Sequence, residues 1–143
     1  MNDSADIKKA RNAVLIIHNL SEKRLSLRNA VSDFVRVYAV KSKNSAEAAL
    51  KKAENIKLII SDLEMPDNSG YELLDFLLNS GDYGDIPVLI ITESPQKEIV
   101  KKLEGYGNVA GVIGKPCDLK EFREMTAEIL GINISLVERG GGR

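Results

Sequence analysis

The sequence predicts an α/β domain: a doubly wound, five-stranded parallel sheet with five helices. Three observations carry that prediction. Short apolar runs without polar alternation recur five times along the chain, as in strands buried on both faces. Each is followed by a stretch with the apolar spacing of an amphipathic helix. The alternation is strict, and a crossover between parallel neighbours in one sheet is right-handed and covers a strand face.

The first strand is Ala13 to Ile17. Ser21 reads as the N-cap of the first helix, with Leu20 and Leu25 spaced for a hydrophobic staple. Leu27, Ala30, Val31 and Phe34 mark its inner face, and Val35 to Val40 is the second strand. Ser45 reads as the cap of a helix that buries Ala46, Ala49, Leu50 and Ala53. Leu58 to Ile60 forms a strand ending near Asp62, ahead of a turn-rich loop from Met65 to Gly70. The next helix buries Leu74, Leu77 and Leu78. Gly81, Gly84 and Pro87 break the chain before a fourth strand, Pro87 to Ile91. Ser94 caps the following helix, with Pro95 in its first position, where a missing N–H costs nothing. Val109 to Ile113 is the fifth strand. Asp118 with Glu121 opens a last helix carrying Phe122, Met125 and Ile129.

At 143 residues the chain has material for one domain. We expect an N-terminal extension over 1–12, the domain over 13–130, and a flexible tail or linker stub over 131–143. Lys and Arg number 20 against 21 Asp and Glu, so no whole-chain field favours nucleic acid or anionic lipid. One cysteine, Cys117, excludes an intramolecular disulfide, and one histidine, His18, excludes multi-His zinc chemistry. No run is long and apolar enough for a bilayer, and the first residues lack the core of a signal peptide. The expected setting is cytoplasmic.

Open parallel sheets bind ligands outside the carboxyl ends of their strands. The polar residues expected there are His18 and Asn19, Asp62 and Glu64, Thr92 and Glu93, and Lys115. A carboxylate, a hydroxyl and an ammonium at one edge can handle a phosphoryl group. The carboxylate is the nucleophile, and the other two donate to phosphoryl oxygens.

The stretch Leu58 to Gly70, with its Asp-x-x-Met-Pro-x-x-x-Gly pattern, resembles the phosphoacceptor segment of response-regulator receiver domains. Ile90 to Thr92 and Gly114 to Pro116 fall where that family has its switch hydroxyl and its lysine before a cis-proline bond. The resemblance covers Ala13 to Leu130 and implies a flavodoxin-like receiver fold in a two-component phosphorelay. It implies a non-enzymatic protein in which Asp62 accepts a phosphoryl group, Thr92 turns inward to it and Lys115 pairs with it. By the same resemblance, Mg²⁺ would be held weakly by Asp62, Asn19 and Glu64. The partners would be a histidine kinase or a downstream signalling protein. A homodimer through the fourth helix, fifth strand and fifth helix, rimmed by Lys97, Lys101, Glu104 and Lys120, would be in keeping with the family.

Four positions depart from the family pattern. His18-Asn19 replaces the acidic pair that holds Mg²⁺, Glu93 replaces a small residue, and Val112 replaces the aromatic that reports phosphorylation. Mg²⁺ takes hard oxygen ligands, and imidazole nitrogen suits it poorly. Phosphorylation is therefore expected to be impaired, and Lys115 is expected to pair directly with Asp62. The alternative is a phosphorylation-independent pseudo-receiver acting as an interaction module. A flavin-binding protein or enzyme on this scaffold would need a Gly-rich phosphate loop after the first strand, and His18 to Lys23 contains no glycine. His18 alone reads more simply as a packed or capping residue, and Cys117 as filler rather than a redox sensor.

Overall fold

A computed structural model describes residues 12–66 and 70–135 of the chain. Most of the expected N-terminal extension, the loop residues Asp67, Asn68 and Ser69, and residues 136–143 of the expected tail lie outside the described residues. The strands are β1 (Ala13–Ile17), β2 (Arg36–Val40), β3 (Ile56–Asp62), β4 (Val88–Thr92) and β5 (Val109–Gly114). They form one sheet in the order β2-β1-β3-β4-β5, with every pairing parallel. The helices are α1 (Ser21–Val31), α2 (Lys43–Lys52), α3 (Gly70–Leu78), α4 (Lys97–Glu104) and α5 (Leu119–Leu130). No helix among the described residues is long and apolar enough to cross a membrane.

Side chains alternate along each strand, so the sheet divides the core into two layers. Val14, Ile16, Leu58, Ile60, Leu89 and Ile91 face α1 and α5, where they meet Leu27, Val31 and Phe122. Leu15, Ile17, Ile59, Val88 and Ile90 face α2, α3 and α4, where they meet Leu50, Leu74 and Leu103. β1, β4 and most of β3 are buried on both faces, which is why these runs carry no polar alternation. β2 lies at the edge and is half-buried throughout.

The helix starts differ from the expected caps at three places. α1 begins at Ser21 itself, with extended Leu20 as its N-cap, and Leu20 and Leu25 stand 47% and 57% exposed instead of closing a staple. α2 is capped by Ser42, whose hydroxyl accepts the Ser45 amide hydrogen at 3.2 Å. α4 starts after Gln96, beyond Ser94 and Pro95. In each case the true cap lies within three residues of the expected one; only α2 exchanges one serine for another, while Leu20 and Gln96 cap α1 and α4 without a side-chain hydrogen bond. Leu78 is 43% exposed, and Leu73 takes its expected place inside. The Asp118 cap of α5 is as read: its Oδ1 accepts amide hydrogens from Lys120 at 2.9 Å and Glu121 at 3.1 Å.

α5 ends on Gly131 in the left-handed region at φ 70°, and the Ile132 amide donates back to the Ala127 carbonyl at 2.8 Å. Ile132 and Ile134 then pack on the α1/α5 layer, so the packed chain continues past Leu130.

Candidate functional site

The strand order reverses between β2-β1 and β3-β4-β5, which opens a crevice at the carboxyl end of β1 and β3. Register sets what lines it. Ile17 pairs with Ser61, Asp62 with Ile91, and Thr92 with Gly114, so His18, Asp62, Thr92 and Lys115 emerge side by side. Gly70 lets the returning chain pass close beneath. A Cβ there would lie 2.9 Å from the Leu63 Cα and 3.1 Å from the Asp62 carbonyl oxygen.

The Asp62 side chain is almost wholly buried and meets a cation on one oxygen. Lys115 Nζ is 2.6 Å from Oδ1, the direct pairing expected from the sequence. Lys115 is placed by its own amide, which donates to the Thr92 carbonyl at 2.8 Å, and it precedes the cis Lys115–Pro116 bond.

On the other side of Asp62 stands His18, itself 6% exposed. Its Nδ1 accepts the Leu20 amide hydrogen at 3.1 Å, so the ring satisfies a donor at the start of α1 where no side chain of the cap residue does. A neutral ring with Nδ1 as acceptor carries its proton on Nε2, and Nε2 faces Asp62 Oδ2 at 3.6 Å. Burial pushes the His18 pKa down, against the pull of Asp62, and Lys115 and Arg24 add to the lowering. Arg24 also donates to the His18 carbonyl at 2.7 Å, tying α1 to the end of β1.

Glu64 is the residue whose role the sequence did not reveal. Its Oε2 accepts the Thr92 hydroxyl at 2.5 Å and its Oε1 accepts the Glu93 amide at 3.0 Å. Lys115 Nζ lies 3.7 Å from the same Oε1. The Glu93 side chain is exposed at the rim, and Asn19 is exposed at the end of β1. Val112 packs half-buried on the α2–α4 layer. Cys117 is half-buried against the α1/α5 layer, and burial, then Glu121 and Asp118, raise its pKa, so the sulfur is a neutral thiol near pH 7. Beside this site, between the start of α1 and the β5–α5 loop, lies a cleft of ≈ 290 Å³ whose apolar lining of Leu20, Leu27, Ile91, Pro116 and Leu119 is joined by His18, Lys23, Ser26, Glu93 and Lys115. One signal of it is legible in the sequence: Leu20 and Leu119 stand at the starts of α1 and α5, outside the helical core pattern.

The chain matches the family described as "Response regulator receiver domain" over residues 14–127. It belongs to that family. This receiver domain of two-component signalling is similar to the "Chemotaxis protein CheY homolog" of Campylobacter jejuni subsp. jejuni (strain 81-176), at 26% identity over 121 residues, 82% of this chain and 92% of the relative. It is similar at 25% identity to "Chemotaxis protein CheY1" of Helicobacter pylori, over 84% of this chain and 98% of that one. The structure of the chemotaxis response regulator CheY4 of Vibrio cholerae superposes with a TM-score of 0.76 at 21% identity, covering 84% of this chain and 99% of that one. That likeness concerns the fold, and it agrees with the flavodoxin-like topology expected from the sequence.

Receivers as a family bind Mg²⁺, and the donors of this receiver do not suit it. Mg²⁺ requires a near-octahedral set of oxygens. Here Lys115 engages Asp62 Oδ1, an N–H of His18 faces Oδ2, and both Glu64 oxygens already accept hydrogen bonds. Among the described residues no group of three or more His, Cys, Asp or Glu side chains is arranged to hold a metal ion.

Proposed function

We propose that this receiver signals with impaired Mg²⁺-dependent phosphorylation at Asp62, as a cytoplasmic, non-enzymatic module for a histidine kinase or a downstream signalling protein. The observation that carries the reading is the His18–Asp62 pair. A ring N–H faces Oδ2 at 3.6 Å, on the side where the family's acidic pair would supply metal-binding oxygens. Replacing one carboxylate beside a dication forfeits roughly 2–8 kcal/mol of attraction, for effective dielectrics between water and a protein surface. Even the low end is more than tenfold in affinity.

In this reading the functional unit spans 13–130, with Ile132 and Ile134 packed against it, Asp62 is the phosphoacceptor position, Thr92 the switch hydroxyl and Lys115 the phosphoryl partner. Partner binding uses the face of α4, β5 and α5, which is also the surface for a homodimer. Lys97, Lys101, Glu104 and Lys120 all stand exposed there and form a rim of mixed charge suited to reversible contact.

The test is labelling by a small-molecule phosphodonor in millimolar Mg²⁺, read by intact mass. The natural sequence is expected to label poorly, and His18→Asp with Asn19→Asp is expected to label well and to gain Mg²⁺-dependent amide shifts around Asp62. Full labelling of the natural sequence would overturn the reading.

A further inference from the structure

Three donors converge beside Asp62 on the two oxygens of one carboxylate: the Thr92 hydroxyl, the Glu93 amide and, at 3.7 Å, the Lys115 ammonium. The hydroxyl has little freedom to turn elsewhere. The Ser94 amide donates to Thr92 Oγ1 at 3.1 Å, filling an acceptor site and directing the hydroxyl hydrogen to Glu64. A hydroxyl, a backbone N–H and an ammonium around one point form a receptor for an anion. Its present occupant comes from the same chain, two residues after Asp62.

We propose that Glu64 is a resident internal anion, filling a donor set that, once vacated, takes a tetrahedral oxyanion of the phosphate class. The proposal rests on the receiver reading above and adds its regulation: the site is self-occupied, and an oxyanion enters only as Glu64 leaves. Two features make this exchange workable. The Glu64 side chain is 38% exposed, so it can move into water without dragging buried structure along. Being tethered, it holds the site at a millimolar or higher effective concentration, so free phosphate at millimolar levels competes poorly. Charge acts in the same direction. With Glu64 in place, Asp62, Glu64 and Glu93 share a crevice with Lys115, and an incoming dianion is repelled. Glu64 also explains how Thr92 is held toward the site with no phosphoryl group attached.

The experiment is titration of the full chain with inorganic phosphate, read at the Glu93 and Ser94 amides by NMR. The natural sequence is expected to show no saturable shift at millimolar phosphate. Glu64→Ala is expected to show saturable shifts with affinity at least tenfold higher, and Glu64→Ala with Lys115→Met is expected to lose them. Glu64→Gln keeps the shape without the charge; it is expected to gain in the same direction, and it serves if the alanine variant does not fold. Equal phosphate binding by the natural sequence and the folded Glu64 variants overturns the proposal, as does the absence of binding in all of them. The readout is non-covalent and free of Mg²⁺, so it is separate from phosphodonor labelling. Heavy labelling of the natural sequence would overturn the impaired-phosphorylation reading while a phosphate gain in Glu64→Ala still stood.

Discussion

Lys115 Nζ stands 2.6 Å from Oδ1 of Asp62, and the two side chains are unequally buried, at 22% and 1% exposed. That asymmetry decides what each substitution costs. Lys115→Met leaves a carboxylate in the interior without its cation and is expected to cost about 3–5 kcal/mol. Asp62→Asn leaves the ammonium close to water and is expected to cost about 1–3 kcal/mol. Urea denaturation at pH 7 measures both. A gain in stability for Asp62→Asn would mean that repulsion, and not pairing, governs the site.

His18 makes stability depend on pH in a narrow window. Burial holds its folded pKa below the ordinary value of about 6.5, so the unfolded chain takes up the proton first. The stability contributed by the neutral ring is complete above that ordinary value and is lost as pH falls toward the folded pKa, at no more than about 1.4 kcal/mol per pH unit. His18→Asn keeps a short acceptor for the Leu20 amide, in the manner of an Asx turn, and removes the titration. Urea midpoints between pH 7.5 and 5.5 should fall more steeply for the natural sequence than for His18→Asn. Parallel curves would assign the slope to other groups.

Gly70 and Gly81 separate a close approach from an open one. An alanine at 70 meets Leu63 Cα at 2.9 Å, while nothing lies within 4 Å of a Cβ at 81. Gly70→Ala is expected to destabilise by about 1–3 kcal/mol and to shift amide signals of Asp62 and Leu63. Gly81→Ala is expected to stay within about 0.5 kcal/mol. Thermal denaturation and an amide spectrum of each variant provide the comparison.

Charge reversal at Lys101 and Lys120 tests the proposed partner face. Lys101 is in the last turn of α4 and Lys120 in the first turn of α5, so the dipole effects of the two changes oppose one another. Folding stability should therefore move by no more than about 0.5 kcal/mol. Association, read by sedimentation or pull-down, should weaken and change its salt dependence. If Asp62→Ala abolishes association and the surface variant does not, binding depends on phosphorylation.

The order of the ten elements, the two-sided burial of β1 and β4, and the Asp118 cap of α5 are legible in the amino-acid order, because they depend on periodicity and on neighbours a few residues apart. The same order puts Asp62, Thr92 and Lys115 at strand ends, where a parallel sheet gathers its polar groups. Tertiary structure alone decided what those groups touch. Glu64 and Thr92 are 28 residues apart in the chain, and only the β3–β4 register brings the carboxylate onto the hydroxyl. The choice of Ser42 over Ser45, of Gln96 over Ser94, and the exposure of Leu78 beside buried Leu73 belong to the same class. A local pattern offers several nearly equivalent residues, and packing against distant elements selects one of them.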